Sequence, residues 1–210
     1  MNAKTLNQFA VYACGTLVHP GATFEKLLSE PRRIAYGSAA IMFVGALYTI
    51  VSFVGYLNGF GPCVQPFLPI PVKEYYFYQT FFTILVFWLT TLIFAAVVQF
   101  FSSFFGGEGK FEDCVAVFGF SFHITMIPLM WIPEAIMVTF NLHSPANELC
   151  GTTTLGPIAD NIRMAAAALW PIVVTFIGLK KVQRFSWLKV LVIGLVGVIL
   201  YEAVFWTYIR

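Results

Sequence analysis

Five long apolar runs constrain this chain more than any other feature: Ile34 to Phe60, Tyr75 to Phe101, Val115 to Phe140, Met164 to Leu179 and Trp187 to Tyr208. A helix rises about 1.5 Å per residue and crosses the roughly 30 Å hydrocarbon layer of a bilayer with about 20 residues. Inside that layer no water is present to pair with backbone N–H and C=O groups, so apolar runs of this kind must be helical. Composition agrees. Hydrophobic residues make up 59% of the chain and charged ones 10%, where an average soluble domain carries about 25% charged side chains. The expected fold is all-α: a polytopic bundle of five transmembrane helices with a short N-terminal interfacial helix. The chain's 210 residues divide into an N-terminal segment, 1–33, and a five-span membrane domain, 34–210, with no room for a second domain.

The formal net charge is +2, from 12 basic and 10 acidic residues scattered between the apolar runs. Nucleic acid requires a basic stripe or patch, and none exists, which excludes it as a partner. The spans are joined by a Gly/Pro-rich connector (Gly59 to Pro71), a polar turn (Gly106 to Asp113), a long polar connector (Asn141 to Asn161) and a basic turn (Lys180 to Arg184). Nine Lys and Arg residues fall with the N-terminal segment, the 106–113 turn and the 180–189 region. Only Lys73, Arg163 and Arg210 fall on the other side. The positive-inside bias therefore predicts a cytoplasmic N-terminus and an external C-terminus, in a cell inner membrane.

Before the first span, Pro20 can open a helix whose Phe24, Leu27 and Leu28 share one face, with Glu25, Lys26 and Glu30 on the other. That pattern suits an amphipathic helix at the headgroups, and equally one packed against the bundle. Val11-Tyr12-Ala13-Cys14 loosely matches a lipoprotein cleavage box. The apolar stretch before Cys14 is too short for a signal, so the first span is expected to be the uncleaved membrane signal. Under this topology Cys14 and Cys114 lie at the cytoplasmic side, while Cys63 and Cys150 share the external side. The second pair is a candidate disulfide, because an exported compartment permits oxidation.

Ionisable residues inside spans are costly, by roughly 2.5–3.5 kcal/mol at the centre of a helix on insertion scales, and so are candidate functional groups. Here they are His123, Glu134 and Glu202. Pro128 and Pro133 in the third span each remove a backbone donor, which predicts a break near Pro128. His123, Thr125 and Glu134 around such a break, with Glu202 from the fifth span, form a candidate intramembrane polar site for an ion or proton. A kinked helix whose polar groups bond to neighbouring helices is the competing reading. Lys73 and Arg163 are candidate partners for Glu202, and Asp160 with Arg163 reads as a local pair. Tyr75, Tyr76 and Tyr78, with Trp206 and Tyr208, read as an interfacial aromatic belt.

Other chemistry lacks support. His19, His123 and His143 fall at three different depths, and no close Cys/His spacing suggests a metal site. No Gly-x-Ser-x-Gly nucleophile motif occurs. The Gly106-Gly107-Glu108-Gly109 turn lacks the Gly-Lys-Ser/Thr ending of a phosphate loop. No cofactor is implied, and an enzyme is not expected.

Two passages carry a family resemblance. The first is Gly106-Gly107-Glu108-Gly109-Lys110-Phe111, then Val115-Ala116-Val117-Phe118-Gly119-Phe120-Ser121 and Pro128; the second is Leu169-Trp170, Ile177-Gly178-Leu179 and Phe185-Ser186-Trp187. With His19-Pro20, Phe24, Leu27 and Pro31 before the first span, they resemble the Ypt-interacting protein (YIP) domain family, in the form of a compact prokaryotic-type member. The resemblance implies five spans, a cytoplasmic N-terminus and, in eukaryotic members, association with Rab-type GTPases in membrane traffic. The family's acidic-leucine-x-Gly-Pro segment is absent here, which speaks against a GTPase partner. The expected function is non-enzymatic, in membrane organisation or trafficking-type processes through lipid or protein contacts, including a possible homo-oligomer. Phe24, Leu27, Leu28, Gly106, Gly107 and Lys110 form the expected cytoplasmic contact surface. The alternative is a small transporter or channel subunit using the polar site in the third and fifth spans.

Overall fold

The computed structural model describes residues 3–62, 65–144, 147–151 and 157–209, with the side chains of 143–158 and 160 outside the description. Two helices precede the spans, α1 (Ala3–Val18) and α2 (Pro20–Ser29). The spans are α3 (Arg33–Leu57), α4 (Tyr75–Phe104), the composite segment Phe111–Thr139, α7 (Pro157–Gln183) and α8 (Trp187–Tyr208). Each is long and apolar enough to cross a membrane. A short antiparallel hairpin, β1 (His143–Ser144) with β2 (Asn147–Gly151), forms within the long connector, and α7 begins seven residues before the apolar run does.

The third span is the hub, packed on α3, α4 and α7, while α8 packs on α4 and α7. Buried residues make up 72% of its most apolar stretch, against 39% in α7 and in α8. Small residues bring it against α3. A Cβ on Gly37 would lie 2.4 Å from the Ala116 Cα, and one on Gly119 would lie 2.6 Å from the Gly37 carbonyl oxygen. Backbones touch there because nothing larger than hydrogen fits, which is how helices associate where lipid is as apolar as leucine.

The expected break at Pro128 does not occur. The third span runs as α5 (Phe111–Phe118), two wide π-helical turns (Gly119–Ile124 and Ile127–Trp131) and α6 (Ile132–Thr139). A π turn shifts the hydrogen-bond register by one residue and absorbs a proline's missing donor without parting the helix. Thr125 supports it, donating its hydroxyl to the Ser121 carbonyl at 2.6 Å. Arg163 Nη1 donates to the Leu129 carbonyl at 2.6 Å. That carbonyl is the one Pro133 would serve in a regular helix if it had an N–H.

Three further expectations change. Helix α1 was not anticipated; it packs beside α2, with Phe9 and Tyr12 against Phe120 of the third span. Tyr75 and Tyr76 are buried, Tyr75 donating to the Tyr208 carbonyl at 2.9 Å, so they belong to the core and not to an interfacial belt. Tyr78 and Trp206 remain exposed. Among the described residues Cys14 and Cys114 are free thiols and no disulfide is present. The expected Cys63–Cys150 bridge, like the Asp160 carboxylate and the His143 ring, lies outside the described side chains.

Candidate functional site

Within the membrane the four residues of the expected polar site are kept apart. His123 is fully buried, with Nε2 2.9 Å from Thr91 Oγ1 of α4 and its ring stacked on Phe87. The Thr91 hydroxyl hydrogen points to the Phe87 carbonyl at 2.7 Å, so the imidazole is the donor in the His123–Thr91 contact. Thr125 is spent on its own helix. Glu134 lies eleven residues beyond His123, about 16 Å along a helix, hydrogen-bonded to Tyr48 of α3 and near Arg163. Glu202 is half-buried on α8 and bonds to Trp206 one turn on. That bond stays within α8, where Lys73 or Arg163 was expected as the partner.

Uncharged neighbours that sequence reasoning missed engage Glu134 and one nitrogen of His123, whose buried Nδ1 meets no hydrogen-bond partner among the described residues. Tyr48 links Glu134 to Gln79, whose Nε2 donates to Ser52 Oγ at 3.0 Å. Ser121 meets Thr175 of α7 at 2.9 Å. These contacts tie the first four spans together pairwise. Polar groups satisfied by neighbouring helices hold a bundle together; they do not by themselves make a path for a solute.

The other region is the end of the bundle where the chain enters its first span. Here α2 lies on α7 and α5 with Phe24 and Leu27 wholly buried, so these two side chains are core and cannot form an exposed contact surface. Leu28 stays half-buried. Tyr12 of α1 donates to Glu30 Oε1 at 2.7 Å across to the end of α2. Burial, then this bond to Glu30, pushes the Tyr12 hydroxyl up to about 12, so it stays protonated in the physiological range.

Two turns interlock at the same end. Gly106 adopts φ +74°, the left-handed conformation that glycine tolerates best, and reverses the chain after α4. A Cβ on Gly107 would lie 2.4 Å from Gln183 Oε1, and one on Gly109 2.4 Å from Val182 Cγ1. The glycine turn is thus pressed onto the α7–α8 turn. Buried Gln183 fastens it, accepting from the Gly109 N–H at 3.1 Å and donating to Cys114 Sγ at 3.4 Å. Asp113 accepts the Lys110 N–H at 3.3 Å and pairs with Arg33, joining the turn to the first span. Lys181 pairs with Glu25, and Arg184 with Glu108 at 3.0 Å. Lys189 Nζ donates to the Phe105 carbonyl at 2.9 Å.

What remains exposed on this platform is charged and apolar together: Lys26, Arg32, Gly106, Lys110 and Arg184 beside Phe104, Phe105, Trp187 and Leu188. Gly107 is half-covered. Among the described residues no cluster of three His, Cys, Asp or Glu side chains could hold a metal ion.

A family model described as the Yip1 domain matches residues 14–209. Neither the curated proteins nor the solved structures contain a match.

Proposed function

This chain belongs to the Yip1 domain family, and from that premise we propose that it is a non-catalytic organiser of a cell inner membrane, working through lipid and protein contacts. The N-terminus lies in the cytoplasm in this reading, and the working surface is the platform built from α1, α2 and the two interlocked turns. The observation that carries it is the concentration of nine of the chain's 12 Lys and Arg residues at that one end. Three of them are held by the Arg33–Asp113, Lys181–Glu25 and Arg184–Glu108 pairs. Basic groups at a membrane edge face the cytoplasm and are attracted to anionic headgroups. Partners are lipid and either another protein or a second copy of the chain. A GTPase partner is not part of the proposal.

A transporter reading has less support. His123 and Glu134 are engaged by neighbouring helices, and Thr125 and Glu202 by their own. Among the described residues, the surface grooves lined by Leu129 and Trp170, by Phe105 and Leu188, and by Leu28 and Arg184 do not include His123.

Two measurements test the proposal. With Cys63 and Cys150 changed to Ser, the exposed Cys14 thiol should react with an impermeant maleimide in inverted vesicles and not in right-side-out ones. The reverse result would overturn the orientation. In-cell crosslinking should recover fewer partner chains, or fewer copies of itself, from K26E/R32E than from the unaltered protein. An unchanged crosslinking pattern would remove the platform as the contact surface.

A further inference from the structure

A groove of about 410 Å³ opens between α2 and the α7–α8 turn, lined by Glu25, Leu28, Lys180, Lys181, Arg184 and Phe185. Its chemistry is divided. Phe185, itself buried, and Leu28 give it an apolar floor, while three cations stand at the walls against one carboxylate. The carboxylate is taken by Lys181. Lys180 has no ion pair among the described residues; its Nζ sits 4.4 Å from the centre of the Trp187 ring. Arg184 holds Glu108 only loosely, since the two side chains are 76% and 63% exposed.

The backbone adds an independent observation. Arg184 has φ +53° where α7 stops, a position that glycine or asparagine fills most readily. A long side chain there is strained, and such strain tends to mark a functional position. Complementing the negative end of a helix explains cations in the last turn of α7. It does not explain an arginine held in a left-handed conformation, or the apolar floor beside it.

The groove also sits where two spans meet their turn. Trp187 and Leu188 at the start of α8, and Phe104 and Phe105 at the end of α4, are exposed at the same level. A ligand that suits both halves carries a negative headgroup and an apolar tail.

We propose that this groove is a binding site for an anionic phospholipid, its phosphate held by Lys180 and Arg184 and its acyl chains lying along the exposed apolar residues of α8. This deepens the contact reading above by naming one partner, and it rests on that reading's assignment of the platform as the working end. Phosphate in a soluble molecule shares the headgroup chemistry but has no use for the apolar residues. Glu108 competes with the lipid for Arg184.

The test uses the full chain in nanodiscs of equal parts anionic and zwitterionic phospholipid, with native mass spectrometry of the lipid that stays bound on release. The unaltered protein should retain anionic lipid preferentially. K180Q/R184Q should lose about tenfold of that preference, K180R/R184K should keep it, and E108Q should raise it. A K73Q control removes an exposed cation that lies off the platform and should behave as the unaltered protein. Thermal unfolding of each variant should match the unaltered protein, because Arg184 and Glu108 are exposed. Equal loss in the K73Q control, or none in K180Q/R184Q, would overturn the site. Displacement of the lipid by millimolar inorganic phosphate would assign the groove to soluble phosphate instead. Failure here with crosslinking still sensitive to K26E/R32E would leave the broader contact reading standing.

Discussion

The interior of the third span and the platform at the basic end are both polar, and they use polarity in opposite ways. His123, Ser121 and Thr125 are fully buried, and each has a partner inside the bundle. Arg184, Lys26 and Arg32 are exposed, and the ion pair that holds Arg184 is one that water can compete with. Burial turns a polar side chain into a tie between helices, whose loss leaves an unpaired group in a medium without water. Exposure at the membrane edge leaves it available to lipid and partners. Substitutions should therefore divide: interior changes should move stability and spare binding, and platform changes should do the reverse.

The largest effect should come from Gly37→Val. Its Cβ would meet the Ala116 backbone at 2.4 Å, where no side chain can yield. Pushing α3 off the third span should cost about 3 kcal/mol or more, seen as loss of folded protein in detergent unfolding. An unfolding curve matching the unaltered protein would mean that the two helices can separate without penalty.

Next, His123→Ala removes a buried hydrogen bond and the ring stacked on Phe87. A cost of about 2–3 kcal/mol is expected from the cavity and the orphaned Thr91 contact, with anionic-lipid retention unchanged. Loss of lipid retention at unchanged stability would blur the division between the two regions.

A smaller and sharper effect concerns Arg163. Removing its bond to the Leu129 carbonyl with Arg163→Gln should cost about 1–2 kcal/mol. Pro133→Ala restores the backbone donor that this carbonyl lacks, so the same Arg163 change should cost less in that background. Equal costs in both backgrounds would show that Arg163 stabilises the span by some other contact. Smallest of all, Glu108→Gln breaks an exposed pair and should change stability by no more than about 0.5 kcal/mol.

Hydropathy made the spans legible because backbone in lipid has so few solutions: α8 begins and ends where the fifth apolar run does. It could not say which span is central. The third and fourth have the same mean hydropathy, 1.8, yet 72% of one and 39% of the other is buried. Which faces meet depends on Gly37, Ala116 and Gly119, small residues whose effect appears only when two backbones are brought together. Helix α1 did carry a signal that went unused, Phe9, Tyr12, Ala13 and Thr16 at helical spacing, with Phe9 and Tyr12 turned onto Phe120.

The polar residues were legible one by one, and the partners that engage them were not. His123 and Glu134 stand out as ionisable groups in apolar sequence, but their hydrogen bonds go to Thr91 and Tyr48, uncharged residues that no pattern singles out. At the basic end the glycine turn was visible through its family resemblance. What it packs against, Gln183 and the strained Arg184, was not, because the contact joins turns more than 70 residues apart.

The most direct test of the division is to measure thermal unfolding and retained anionic lipid on the same nanodisc preparations of H123A and K180Q/R184Q. H123A should unfold at lower temperature and keep its lipid; K180Q/R184Q should unfold as the unaltered protein does and lose it. Lipid lost from H123A at an unchanged unfolding temperature, with K180Q/R184Q still loaded, would move the functional chemistry from the membrane edge to the interior of the third span.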